Sequence, residues 1–183
     1  MPDSSGKVSP LFPFLAVQLL AGEKGLSRKA SLYRREFIRL VDKAAREYRE
    51  AREVLLDEVA VQGRNLRFYV FTDHMETCIN AVSRLSKLLK RIKSEKEAPD
   101  FPRELRRLVE KHSEFVTDVR DTVEHMDERI QKGAIAPGKP IMLTCSQEGD
   151  KILVSNSEMK FTDLAMLLEK MHDIALYILA IRQ

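Results

Sequence analysis

Met75-Glu76-Thr77-Cys78-Ile79-Asn80-Ala81-Val82-Ser83-Arg84-Leu85-Ser86-Lys87-Leu88-Leu89-Lys90-Arg91-Ile92 decides the fold class. Its apolar side chains, Met75, Cys78, Ile79, Val82, Leu85, Leu88, Leu89 and Ile92, recur at steps of three and four, which places them on one face of a helix. One apolar stripe needs partners, and the flanking sequence supplies them. From Lys29 to Val61 the residues Phe37, Ile38, Val41, Ala44, Ala45, Tyr48, Ala51, Leu55 and Val59 repeat the rhythm, with Gly63 marking the corner before a helix that starts near Asn65 and ends near Ser94. After the break at Glu97 to Pro102, a third stripe runs through Leu105, Leu108, Val109, His112, Phe115, Val116, Val119, Val123, Met126 and Ile130, to a stop near Gln131 and Gly133. A fourth begins at a Thr162 cap and continues to Ile181 through Leu164, Leu167, Leu168, Met171, Ile174, Ala175 and Ile178. The expected fold is mainly α, an up-down bundle of four long helices.

Between the third and fourth helices the period changes to two. Ile141, Leu143 and Cys145, then Ile152 and Val154, alternate with other residues around Ser146-Gln147-Glu148-Gly149-Asp150, which predicts a short β-hairpin within about residues 140–155. Residues 29–183 therefore form one helical-bundle domain, and residues 1–28 an N-terminal arm. The arm's apolar run, Leu11 to Ala21, is too short to span a bilayer and has weak flanks for a secretory signal, so it reads as a packing helix or a partner-binding arm.

The chain has 183 residues, 44% hydrophobic and 32% charged, an ordinary balance for one globular domain. Its net charge of +3 is too small to indicate nucleic-acid binding without clustering. Cys78 and Cys145 fall on different elements and make neither a disulfide framework nor a metal cluster. The expectation is a cytoplasmic protein with no membrane association, no cofactor and no metal.

The chemistry-bearing segment is Val119-Arg120-Asp121-Thr122-Val123-Glu124-His125-Met126-Asp127-Glu128-Arg129. A guanidinium can hold charge that grows on a phosphate oxygen, and an imidazole can take or return a proton at a ribose hydroxyl. Arg107 before His112 has the same spacing, and Arg106 before His112 and Arg67 before His74 similar ones. Arg120 is preferred because Asp121 follows it and the pair lies late in a long helix. His112 falls on the apolar stripe instead.

The segment resembles the R-x-x-x-x-H motif of HEPN domains, and the order of long helices extends the likeness loosely over the whole chain. The resemblance implies a homodimer with the motifs facing each other, and metal-independent endoribonuclease activity of the toxin-antitoxin or antiviral kind. His125 would then help a 2′-hydroxyl to attack, Arg120 would hold the phosphorane, and Asp121 would orient His125. RNA and a cognate antitoxin or regulatory protein are the implied partners. At about 100° per residue, Arg120 and His125 stand ~140° apart on an unbroken helix, so one helix alone does not focus both on one phosphate.

Charge around the motif works against a polyanion: Asp118, Asp121, Glu124, Asp127 and Glu128 outnumber Arg120 and Arg129. A solvated helix face with Asp121 paired to His125 describes the same residues, and a non-catalytic scaffold is the alternative function. Arg84, Lys87, Lys90, Arg91, Lys93 and Lys96 concentrate positive charge at the end of the second helix. Of these Lys87, Lys90, Arg91 and Lys93 are the candidate RNA contacts, although compensation of the helix dipole explains them equally well. Phe68-Tyr69-Val70-Phe71 reads as core or dimer interface, and Glu169-Lys170-Met171-His172, a lone Glu-x-x-His, as a surface pair.

Overall fold

The computed structural model describes residues 1–3, 6–21, 27–61, 66–95 and 102–180. In chain order these form α1 (Phe12–Ala21), α2 (Arg28–Val61), α3 (Leu66–Lys93), α4 (Arg103–Glu124), α5 (Met126–Gln131), β1 (Thr144–Cys145), β2 (Lys151–Val154), β3 (Ser157–Lys160) and α6 (Phe161–Ala180). The corner at Gly63, the break at 97–101, Lys96, Ile181 and the side chain of Val59 lie outside the described residues.

Helices α2, α3, α4 and α6 close into a ring in which each packs against the next, and α6 returns to α2. The stripes read from the sequence meet at its centre: Phe37, Tyr48, Met75, Ile79, Leu85, Val116, Leu164 and Ile174 are all buried. Ion pairs mark α2 and α3 as antiparallel, because one partner's number falls as the other's rises: Lys29 with Glu95, Glu36 with Arg84, Glu47 with His74 and Asp57 with Arg67.

Glu47 is the most enclosed member of that series. Its carboxylate lies 2.8 Å from His74 Nδ1 and accepts from Arg46 at 2.8 Å. Burial opposes its charge, but the His74 hydrogen bond and Arg46 outweigh it and hold the carboxyl below its ordinary value of 4.5. A carboxyl lowered on folding adds stability that is complete above the unfolded value and is lost as pH falls through the folded one. Glu47→Gln is therefore expected to cost about 2 kcal/mol at neutral pH. In urea melts the gap between wild type and variant should shrink in acid below that value; a gap that widens there contradicts the assignment.

The predicted hairpin is present and is extended by a third strand. β1, β2 and β3 form an antiparallel meander in that order, with Ile152 opposite Met159 and Val154 opposite Ser157. Leu143, Ile152, Val154 and Met159 are buried, and the sheet rests on α4 and α6. Ser155 turns the chain between β2 and β3 with φ +50° while its N–H donates to the Pro140 carbonyl at 2.7 Å. Helix α6 starts at Phe161, one residue before the expected Thr162 cap.

The N-terminal arm lies in the seam between α2 and α6. Leu11 and Leu15 enter the core. Both oxygens of Asp42 on α2 accept from the Leu11 N–H, at 2.9 and 3.0 Å, and one accepts from the Phe12 N–H at 2.7 Å, so a side chain 30 residues away caps α1. Lys7 pairs with Glu169 at 3.1 Å, and Gln18 donates to the Leu179 carbonyl at 3.3 Å. His172 Nε2 is 3.0 Å from the Ser9 carbonyl; a carbonyl only accepts, so this nitrogen carries the proton. The Glu-x-x-His pair is thus no surface pair, because His172 is buried beneath the arm.

Candidate functional site

The third predicted helix is broken inside the motif. α4 ends at Glu124, His125 takes φ −107° and ψ 24°, and α5 starts at Met126. Its backbone N–H still donates to the Asp121 carbonyl at 3.1 Å and its carbonyl accepts from the Arg129 N–H at 3.1 Å, so His125 is the shared cap of the two helices. No Gly or Pro flags this break. The sequence signal was the acidic pair Asp127 and Glu128 in the first turn of a new helix, where carboxylates favour a helix start.

Arg120 and His125 turn to different carboxylates. Arg120 is half-buried on α4, donating from Nη1 to Asp121 at 3.1 Å and from Nη2 to Glu124. His125 is 58% exposed, with Nδ1 3.4 Å from Glu128 on α5. Glu128 also takes Lys132 at 3.2 Å; Lys132 first, and then His125, holds its carboxyl below the ordinary range. Asp121 therefore positions Arg120, and the expected Asp121 to His125 pairing gives way to Arg120, whose guanidinium is nearer and always charged.

Asp121 also reaches a second group of predicted residues. With Glu110, Ser113, Glu114, Thr117 and Asp118 of α4 it lines one wall of a cleft of about 740 Å³, whose other wall is Ser83, Ser86, Lys87 and Lys90 of α3. The sequence read Lys87 and Lys90 as a separate basic surface, whereas the fold sets them opposite four carboxylates. Lys93 pairs with Glu110 at 3.6 Å, and Arg91 is exposed. A cleft with carboxylates in excess repels a phosphate chain along its floor, so of the predicted basic contacts only Arg91 and the outward faces of the lysines are left to meet RNA.

The alternative motif pairs do not converge either. Arg67 is held by Asp57 at 2.7 Å and His74 by Glu47. His112 is half-buried beside Phe115, with Nδ1 enclosed and without a hydrogen-bond partner. Leu108, Phe115 and Ile130, expected to face inward, are exposed; the first two sit at the edge of the α4 stripe, and Ile130 lies on α5, which has no buried residue. Phe71 is buried and Phe68 packs against the core, whereas Tyr69 and Val70 face solvent. Among the described residues, no three His, Cys, Asp or Glu side chains gather where a metal would sit, and no helix is long and apolar enough to cross a membrane.

Comparison with known proteins adds no relative: no family model, no curated protein and no solved structure matches this chain.

Proposed function

We propose that the chain is a HEPN-like protein that acts as a homodimer and cleaves single-stranded RNA without a metal. The observation that carries this reading is the position of His125 at the α4–α5 break, where its imidazole is more than half exposed. Its Nε2 has no partner among the described residues and is free to exchange a proton with a bound hydroxyl. Arg120 uses two of its five N–H donors on Asp121 and Glu124 and keeps three for a phosphate. Because the two side chains point to different helices, a two-fold assembly is the economical way to set the cation of one copy beside the imidazole of the other. The 2′-oxygen would attack the neighbouring phosphorus as its proton passes to His125. The 5′-oxygen would leave with a proton returned, which yields a 2′,3′-cyclic phosphate and a 5′-hydroxyl.

The expected result is cleavage of single-stranded RNA in the presence of a chelator, with DNA of the same sequence intact because it lacks the 2′-hydroxyl. Sedimentation at micromolar concentration should show a dimer. A folded monomer that leaves diverse RNAs uncut, with and without divalent metals, removes this reading.

A scaffold function is the second reading, and one observation favours it. Leu108 of α4 and Leu176 and Tyr177 of α6 are exposed together around an open cleft of about 430 Å³ that Glu104, Lys170 and Asp173 also line, an apolar patch with charged neighbours suited to a protein partner such as an antitoxin or regulator.

A further inference from the structure

Helix α1 is apolar at every position but Gln18, which is tied to the Leu179 carbonyl, a pattern that belongs to a helix covered on most sides. It is covered on one side only. Leu11 and Leu15 face the core, while Phe14, Val17 and Leu20 on the outer side are 61%, 68% and 90% exposed. They follow one another at steps of three, so they form a continuous outward ridge.

Beside the N-terminal end of this ridge lies a groove of about 430 Å³, lined by Val8, Pro10 and Phe12 of the arm and by Arg39, Asp42, Lys43, Arg46 and Arg49 of α2. Four cations share the groove with one carboxylate, and both oxygens of that carboxylate are already taken by the backbone of α1. Arg39 is held by Glu36 and Arg46 by Glu47. Lys43 and Arg49 have no acidic partner among the described residues, although both are half-buried. Cations without a counter-charge at the rim of an apolar surface are the feature an anionic ligand would complete.

Helix α2 packs against α3 and α6, so this surface lies across the ring from α4 and is separate from Arg120 and His125. We propose, against the expectation of no membrane association read from the sequence, that the α1 ridge and the cationic groove form a docking surface for membranes that carry anionic phospholipids; this is peripheral docking, which needs no membrane-crossing helix. The ridge enters the boundary between headgroups and acyl chains, and Lys43 and Arg49 meet headgroup phosphates, the two-component arrangement that peripheral binding requires. Charge decides between occupants: the cations beside the ridge repel the same cations of a second copy and attract a negatively charged lipid surface.

Co-sedimentation of the full chain with vesicles tests this. Binding is expected to phosphatidylcholine vesicles containing phosphatidylglycerol, to weaken with salt, and to be absent with phosphatidylcholine alone. The pair Lys43→Glu and Arg49→Glu should weaken binding about tenfold or more, and the pair Val17→Ser and Leu20→Ser should do the same. Both pairs change exposed or half-buried side chains, and unchanged thermal melting will show that the fold is intact. The proposal is overturned by equal binding to neutral vesicles, by no binding to anionic ones, or by either folded double variant binding like wild type. Glycerol phosphate bound in solution by a protein that ignores vesicles overturns it in favour of a soluble ligand, and a dimer lost with the Val17 and Leu20 changes overturns it in favour of a second copy.

Discussion

On the proposed ribonuclease reading, replacement of His125 or Arg120 by Ala is expected to slow RNA cleavage by about 10² or more in each case, the usual size of a general acid-base or transition-state charge contribution. His125 is exposed at a helix junction and Arg120 makes only local ion pairs with Asp121 and Glu124, so neither change should move stability by more than ~0.5 kcal/mol. A loss of activity in a protein that melts normally is then chemical in origin. Asp121→Asn separates two roles: its contact is with Arg120, so it should alter how Arg120 is held and leave proton exchange at His125 intact. His112→Ala should leave cleavage unchanged, because its ring is packed against Phe115 on another part of α4. Single-turnover cleavage that survives both the His125 and the Arg120 substitution would end the assignment of this site.

The second large effect concerns stability. Leu15→Ala is expected to destabilise the protein by about 3 kcal/mol, since it removes a fully buried side chain and leaves a cavity between α1 and the bundle. The same truncation at Leu20, one turn and a fraction further along, should stay within ~0.5 kcal/mol because that side chain is almost wholly in solvent. Chemical denaturation of both variants checks the contrast. Equal effects would mean that α1 is not docked through its Leu11 and Leu15 face.

The bundle was legible because each long helix carries its burial pattern locally, and a stripe such as Met75 to Ile92 admits one reading. What the sequence hid depends on distant partners or on backbone pairing. β3 contains one apolar residue, Met159, between charged neighbours, and forms because its backbone completes the ladder to β2. The break at His125 comes without Gly or Pro, and the acidic pair Asp127 and Glu128 after it is a mark that a continuous solvated helix face carries equally well. Leu108 and Phe115 have the right residue type for the core, yet the width of the stripe that neighbours cover is a tertiary quantity. The site was legible only as residue types. That Asp121 shares a cleft with Lys87 and Lys90 follows from how α3 and α4 pack, and that Asp42 caps α1 or His172 holds Ser9 follows from where the arm lies.

The seat of the arm also bears on how the chain is made. Residues 7, 9 and 18 dock on Glu169, His172 and Leu179 of α6, so this segment binds a surface synthesised 161 to 163 residues after it. The run from Leu11 to Ala21 finds Asp42 once α2 has emerged but cannot complete its contacts before α6, and its final docking closes a loop of 161 to 163 residues. Refolding of the full chain should therefore gain the arm's protection from hydrogen exchange in the same late step that seats α6, and a nascent chain stalled before Phe161 should carry that run exposed to chaperones.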